Sequence, residues 1–171
     1  MAQRTDVFDL GRLVLASGGG RRVELRVQVD TLDFGGQSYA VSDGLTPVLL
    51  DATRTRAGYA LRLRYEATLD GPSMRCLEDA RAAVAVDASE VDQPGGGEDL
   101  RSPYLTGDEL DVRAWARDAL VLALPVQIVC RDDCLGLCPT CGANLNEAGP
   151  DHGHEPEPDP RWAKLGELRL E

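Results

Sequence analysis

The 171 residues set 18 Lys plus Arg against 29 Asp plus Glu, for a net charge of −11, and are 43% hydrophobic but only 5% aromatic. So acidic a chain is poorly placed to neutralise many phosphates, which argues against tight binding to a nucleic-acid backbone through bulk charge; a basic protein partner, or plain solubility, fits the balance better. No apolar run reaches the roughly 18 to 20 residues needed to span a bilayer, and MAQRTDVFDLGRLV lacks the apolar core and cleavage site of a secretion signal, so a cytoplasmic protein without membrane contact is expected.

The acidity is unevenly spread. Residues 1–75 balance ten Arg against nine acids, whereas residues 76–129 set four Arg against eleven acids and residues 130–171 four bases against nine. With 18 Gly and 10 Pro, turns and short strands are favoured over a helical bundle.

In chain order, DVFDLGRLVLA at 6–16 reads as a short helix or turn before the flexible SGGG. RRVELRVQVD then alternates Val23, Leu25, Val27 and Val29 with polar residues, the period of two that marks a half-buried strand. PVLLDATRTR and GYALRLRYEATLDG read the same way, joined by a tight hairpin at RAG. In the second of these, Leu61, Leu63, Tyr65, Ala67 and Leu69 share one face and Arg62, Arg64, Glu66 and Thr68 the other. CLEDARAAVAVDASEV begins ambiguously and ends as a strand through Val84, Val86 and Ala88, and DQPGGGEDLRSP has the composition of a solvated loop. The segment GDELDVRAWARDALVLALP places Leu110, Val112, Trp115, Ala119 and Leu122 near helical spacing, with Asp108 or Asp111 as the N-terminal acid and Pro125 as the stop. The tail EPEPDP is expected to be extended, and RWAKLGELRL to form a terminal helix docked through Trp162, Leu165 and Leu168.

These elements predict an α+β fold: an antiparallel β-sheet-rich domain over residues 1–125 with one main helix near 109–124, followed at 126–171 by a C-terminal Cys-rich zinc-knuckle lobe and a docked tail. Strand order is not specified by such a pattern. Arg22, Arg26, Arg62 and Arg64 lie on outward strand positions, as a solvated face or as a local basic patch.

Four of the five cysteines fall within CRDDCLGLCPTCG. Cys130, Cys134, Cys138 and Cys141 follow C-x3-C-x3-C-x2-C, and the closing CPTCG has the form of a zinc knuckle. In a reducing compartment such thiols favour metal over disulfides. Four thiolates would fill one tetrahedral zinc site and leave no place for an activated water, which makes the ion structural. The crowded spacing keeps a competitor open, three cysteines plus His152 or His154, the two histidines of the chain. One zinc ion is expected, and iron–sulfur ligation fits the spacing less well. Cys76, standing apart in SMRCLED, reads as a small buried hydrophobe.

The run from LTGDELDV through CRDDCLGLCPTCGANLN, together with DPRWAKLGEL and RCLE at Arg75 to Glu78, resembles the YceD family of large ribosomal RNA subunit accumulation proteins. The resemblance covers the chain from about residue 58 onward. It implies a cytoplasmic, bacterial-type protein supporting accumulation or processing of large-subunit (23S) ribosomal RNA, without known catalytic activity. Carried over, the matched positions are the four cysteines with Gly136, Leu137, Pro139, Gly142, Asn144, Leu145 and Asn146 shaping the knuckle. Two departures stand out. Ser73 occupies the place where many relatives have the first cysteine of a C-x-x-C, and His152 and His154 replace a C-x-C before DPR.

The leading expectation is therefore a non-enzymatic ribosome-biogenesis factor that meets a pre-ribosomal large subunit, rRNA or a basic ribosomal protein. The alternative is an acidic, zinc-containing interaction module or chaperone for a basic ribosomal protein, without direct RNA contact. No small-molecule substrate is expected. The sequence lacks H-x-E with P-C-x-x-C, H-E-x-x-H, a Ser/His/Asp arrangement and a Walker motif, which argues against an enzyme.

Overall fold

The structure is a computed structural model that describes residues 4–42, 44–149, 151–154 and 161. Its strands are β1 (Val7–Asp9), β2 (Gly20–Val27), β3 (Leu32–Phe34), β4 (Gln37–Val41), β5 (Thr46–Arg54), β6 (Tyr59–Pro72), β7 (Asp79–Asp92), β8 (Leu105–Thr106) and β9 (Glu109–Asp111). The one α-helix among the described residues is α1 (Val112–Ala123).

The long strand β6 organises the main sheet. Its N-terminal half pairs antiparallel with β5 from Arg54↔Tyr59 to Leu49↔Arg64, and its C-terminal part pairs with β4 at Ala40↔Asp70 and Val41↔Leu69. Along the opposite edge it pairs with β7 over its whole length, from Tyr59↔Asp92 to Pro72↔Asp79. β2 extends the sheet beyond β5, and β3 extends it beyond β4. A second, three-stranded sheet has the order β1-β9-β8.

The alternation read from the sequence decides which face is buried. Tyr59, Leu61, Leu63, Tyr65, Ala67 and Leu69 of β6 enter the core with Leu25 and Val27 of β2, Val48 and Leu50 of β5, and Val84 and Val86 of β7. Helix α1 closes this face through Val112, Trp115, Ala116, Ala119 and Leu120, all buried. Its N-cap is Asp111, whose Oδ1 accepts from Ala114 N–H at 2.9 Å. A buried tie joins the two layers, the Tyr65 hydroxyl donating to the Ala116 carbonyl at 2.5 Å. Leu122, placed in the apolar stripe by its spacing, instead projects into solvent at 87% exposure. Leu120 takes the inward place in that last turn.

Other differences have local causes. The stretch 6–16 splits into β1 and a 3-10 turn at Leu10–Leu13, because Val7 to Asp9 find partners in β9. Asp108 does not cap α1; its Oδ1 accepts from the Tyr59 hydroxyl at 2.9 Å. The hairpin β3–β4 is not among the elements expected from the sequence. It turns on Gly35 and Gly36, with φ of 63° and 77°, the paired left-handed conformations that a two-residue hairpin loop demands. The loop at 92–103 holds a 3-10 turn at Glu98–Leu100. The expected extended segment and terminal helix, with Trp162, Leu165 and Leu168, lie outside the described residues.

Candidate metal centre

The cysteine-bearing segment docks on the loop that joins β6 to β7. Met74 N–H donates to the Ile128 carbonyl at 2.8 Å and Leu137 N–H to the Arg75 carbonyl at 3.0 Å. Ile128 is fully buried within the main core, so the chain beyond α1 is pinned at the sheet end before its cysteines begin. From there it forms a small loop built around CPTCG. Cys138 N–H donates to the Ala143 carbonyl and Gly142 N–H to the Cys138 carbonyl, each at 2.8 Å, while Leu145 N–H reaches the Gly136 carbonyl at 2.9 Å. Gly142 supplies the left-handed residue, φ 73°, that closes the turn.

The structure sorts the candidate ligands into two groups. Cys138 and Cys141 stand with His152 and His154, their donor atoms all within 4.8 Å of one another. Cys130 and Cys134 stand instead with Cys76, again within 4.8 Å. Cys76, read from the sequence as a buried hydrophobe, is indeed buried, but it faces other thiols. The signal that could have placed it is the RCLE landmark, which sits on the turn that receives the cysteine segment.

In the first group, His152 Nε2 lies 3.5 Å and His154 Nε2 3.3 Å from Cys141 Sγ. A tetrahedral zinc with sulfur at about 2.3 Å and nitrogen at about 2.0–2.1 Å places such donor pairs about 3.5 Å apart. The spacing and donor chemistry therefore suit one such ion. The two imidazole rings meet edge to face, 4.9 Å between centroids, and each brings its Nε2 to the same sulfur. Backbone N–H groups of the turn do the rest. The Cys138 thiol is lowered to about 6, chiefly by the Cys141 N–H, then by His152 and the Thr140 N–H. At neutral pH it is mainly thiolate, the form that binds a cation.

In the second group, Asn146 is the organiser. Its Oδ1 accepts from Leu135 N–H and from Arg131 Nη2, both at 2.9 Å, which leaves its Nδ2 to donate to Cys134 Sγ at 3.4 Å. That donation is the main reason the Cys134 thiol also falls to about 6, with the Gly136 N–H adding to it. Cys130 moves the other way, raised by the adjacent Cys76 thiol and by burial. All five cysteines are free. Both groups have the chemistry to hold a metal ion.

Three of the four arginines on the outer sheet face, Arg22, Arg62 and Arg64, are matched by carboxylates, and exposed Arg26 is not, among the described residues. Arg22 Nε and Arg64 Nη2 both reach Asp51 at 2.6 Å, and Arg62 Nη2 reaches Asp87 at 2.5 Å.

A family model for the large ribosomal RNA subunit accumulation protein YceD matches residues 61–169, a span that contains both ligand groups. The chain belongs to the YceD family. An uncharacterized protein of Mycobacterium tuberculosis is 38% identical over 104 residues, covering 57% of this chain and 49% of that relative. The chloroplastic large ribosomal RNA subunit accumulation protein YCED homolog 1 of Zea mays is 29% identical over 182 residues, 85% of this chain and 60% of the relative. Its counterpart in Arabidopsis thaliana is 39% identical over 61 residues, 36% of this chain and 19% of the relative. The chain spans about half the length of the mycobacterial relatives it matches. No solved structure matches it. The family is described as an accumulation factor for large-subunit ribosomal RNA. Among the described residues no helix is long and apolar enough to cross a membrane.

Proposed function

We propose that the chain is a non-enzymatic ribosome-biogenesis factor of the cytoplasm that supports accumulation and processing of large-subunit (23S) ribosomal RNA. In this reading residues 1–125 form the carrier domain and residues 126–171 the recognition lobe. One zinc ion, held by Cys138, Cys141, His152 and His154, fixes the lobe's shape. The observation that carries the reading is the family match over residues 61–169. The donor set supports the metal's part in it, because four protein donors complete a tetrahedral site and leave no place for an activated water. Such an ion contributes folding free energy and not Lewis-acid chemistry.

Depletion of the protein is expected to lower mature large-subunit ribosomal RNA relative to small-subunit RNA, with large-subunit precursors rising. An unchanged ratio on full depletion would sink the proposal.

A second reading concerns the partner that is touched directly. The net charge of −11 and the pairing of Arg22 and Arg64 with Asp51, and of Arg62 with Asp87, leave, among the described residues, only Arg26 of the four outward arginines on that sheet face free for phosphates. This favours a basic ribosomal protein as the direct contact, with the chain acting as its acidic escort. Co-purification that survives ribonuclease and falls as salt is raised supports the escort. Loss of every ribosomal component on ribonuclease treatment speaks for RNA contact.

A further inference from the structure

We propose that Cys76, Cys130 and Cys134 form a second zinc site, separate from the Cys138, Cys141, His152 and His154 group and built on a second knuckle in which Ser73 occupies the first ligand place. This goes beyond the ribosomal reading and does not depend on it.

Two turns of the backbone share one geometry. At the first site the turn Cys138-Pro139-Thr140-Cys141-Gly142 brings Gly142 N–H back to the Cys138 carbonyl at 2.8 Å, with Gly142 left-handed at φ 73°. The β6–β7 turn Ser73-Met74-Arg75-Cys76-Leu77 repeats this. Leu77 N–H returns to the Ser73 carbonyl at 3.0 Å, and Leu77 is left-handed at φ 65°. The N–H groups of Thr140 and Cys141 face Cys138 Sγ. Correspondingly, the N–H groups of Arg75 and Cys76 donate to Ser73 Oγ at 3.3 and 3.4 Å. A left-handed backbone is rare for a leucine, whose Cβ crowds the following carbonyl. Leu77 holds it nonetheless, in the place that Gly142 takes in the first turn.

The thiols complete the picture. Cys76 is 3% and Cys134 1% exposed, and Cys130 is half-buried and packed against the core. Cys76 Sγ and Cys130 Sγ approach to 3.4 Å, far beyond the roughly 2.05 Å of a disulfide. Tetrahedral thiolates about 2.3 Å from zinc lie about 3.8 Å from one another. Three sulfurs within 4.8 Å of one another, one pair at 3.4 Å, bracket that spacing, whereas a disulfide between any two would strand the third. Soft thiolates of this kind select zinc over hard cations. Three of them leave one coordination position, for the Ser73 oxygen or a water.

The site would also act as a staple. Cys76 belongs to the β6–β7 turn, and Cys130 lies 54 residues later beyond α1, so the ion would fasten the cysteine lobe directly to the main sheet.

The test is metal counting on the full chain, purified under reducing conditions and freed of loose zinc. The parent is expected to hold about two zinc ions per chain, and Cys130→Ala about one. The decisive variant is Cys141→Ala with His154→Ala. Both residues are exposed, and their loss disturbs no core packing while leaving the first site two donors; about one ion should remain. With cobalt in place of zinc, the same variant should show the strong charge-transfer absorption of a thiolate-rich site. If it holds no zinc and shows no such absorption, the second site does not exist, whether or not Cys130→Ala folds. Adding Ser73→Cys to that background should let its ion survive a chelator concentration that strips it from the serine form. Equal loss from both would remove Ser73 from the ligand shell. None of these counts depends on ribosomal RNA levels, so the ribosomal proposal and this one can fail separately.

Discussion

Leu77 and Gly142 hold the same left-handed backbone at two turns, yet only one of them is suited to it. Gly142→Ala would force a Cβ into that conformation and is expected to cost about 1–2 kcal/mol, read as a lower denaturant midpoint. Leu77→Gly removes the same crowding. Since Leu77 is 55% exposed, little packing is lost, and the variant is expected to equal or exceed the parent despite the more flexible unfolded chain. A drop as large as that of Gly142→Ala would refute the equivalence of the two turns. Asn146 can be examined in the metal-free chain. Because its amide donates to Cys134 Sγ, Asn146→Ala should raise that thiol from about 6 toward the ordinary range, moving the pH midpoint of Cys134 alkylation upward. An unmoved midpoint would mean that Gly136 N–H, not Asn146, sets the thiolate.

Among the elements, the contact between sheet and helix is the most exposed to a single change. Tyr65→Phe keeps the ring in the core but removes the 2.5 Å bond to the Ala116 carbonyl, and about 1 kcal/mol of stability should go with it. Trp115, 2% exposed on α1, fills the layer itself, so Trp115→Ala should cost about 3–5 kcal/mol. Equal losses from the two would contradict the layer described. These same elements show what was legible in the sequence. Strands β2, β5, β6 and β7 and helix α1 announce themselves because each buries one face and so must alternate or repeat along its length. The β3–β4 hairpin did not, since three- and five-residue strands are too short for a period to emerge, and only the Gly35-Gly36 pair marked it. The candidate ligand residues were legible as types, through CPTCG and the two histidines. Their division into two groups was not, because it depends on the β6–β7 turn carrying Cys76 to Cys130, a contact across 54 residues that spacing within the cysteine run cannot reveal.

For the molecule as a whole, charge pairing shapes the dependence of stability on pH. Asp6, Asp30, Asp51, Asp70 and Asp87 are all held below the usual carboxylate range, in each case chiefly by an arginine hydrogen bond: Arg4 for Asp6, Arg113 for Asp30, Arg22 for Asp51, Arg81 for Asp70 and Arg62 for Asp87. A carboxylate whose folded value lies below its unfolded value of about 3.9 contributes stability fully above that pH and loses it as pH falls through the folded value. Stability should therefore hold above about pH 4–5 and decline below it, by an amount that shrinks in high salt because these pairs are solvent-exposed. The proposed metal group ties the cysteine lobe to the proposed function. The most direct measurement is the ratio of mature large- to small-subunit ribosomal RNA in cells lacking the protein, complemented either by the parent chain or by Cys141→Ala with His154→Ala at equal abundance. The parent is expected to restore the ratio and the variant to leave it low. Full restoration by the variant would show that the Cys138, Cys141, His152 and His154 group has no part in ribosomal RNA accumulation.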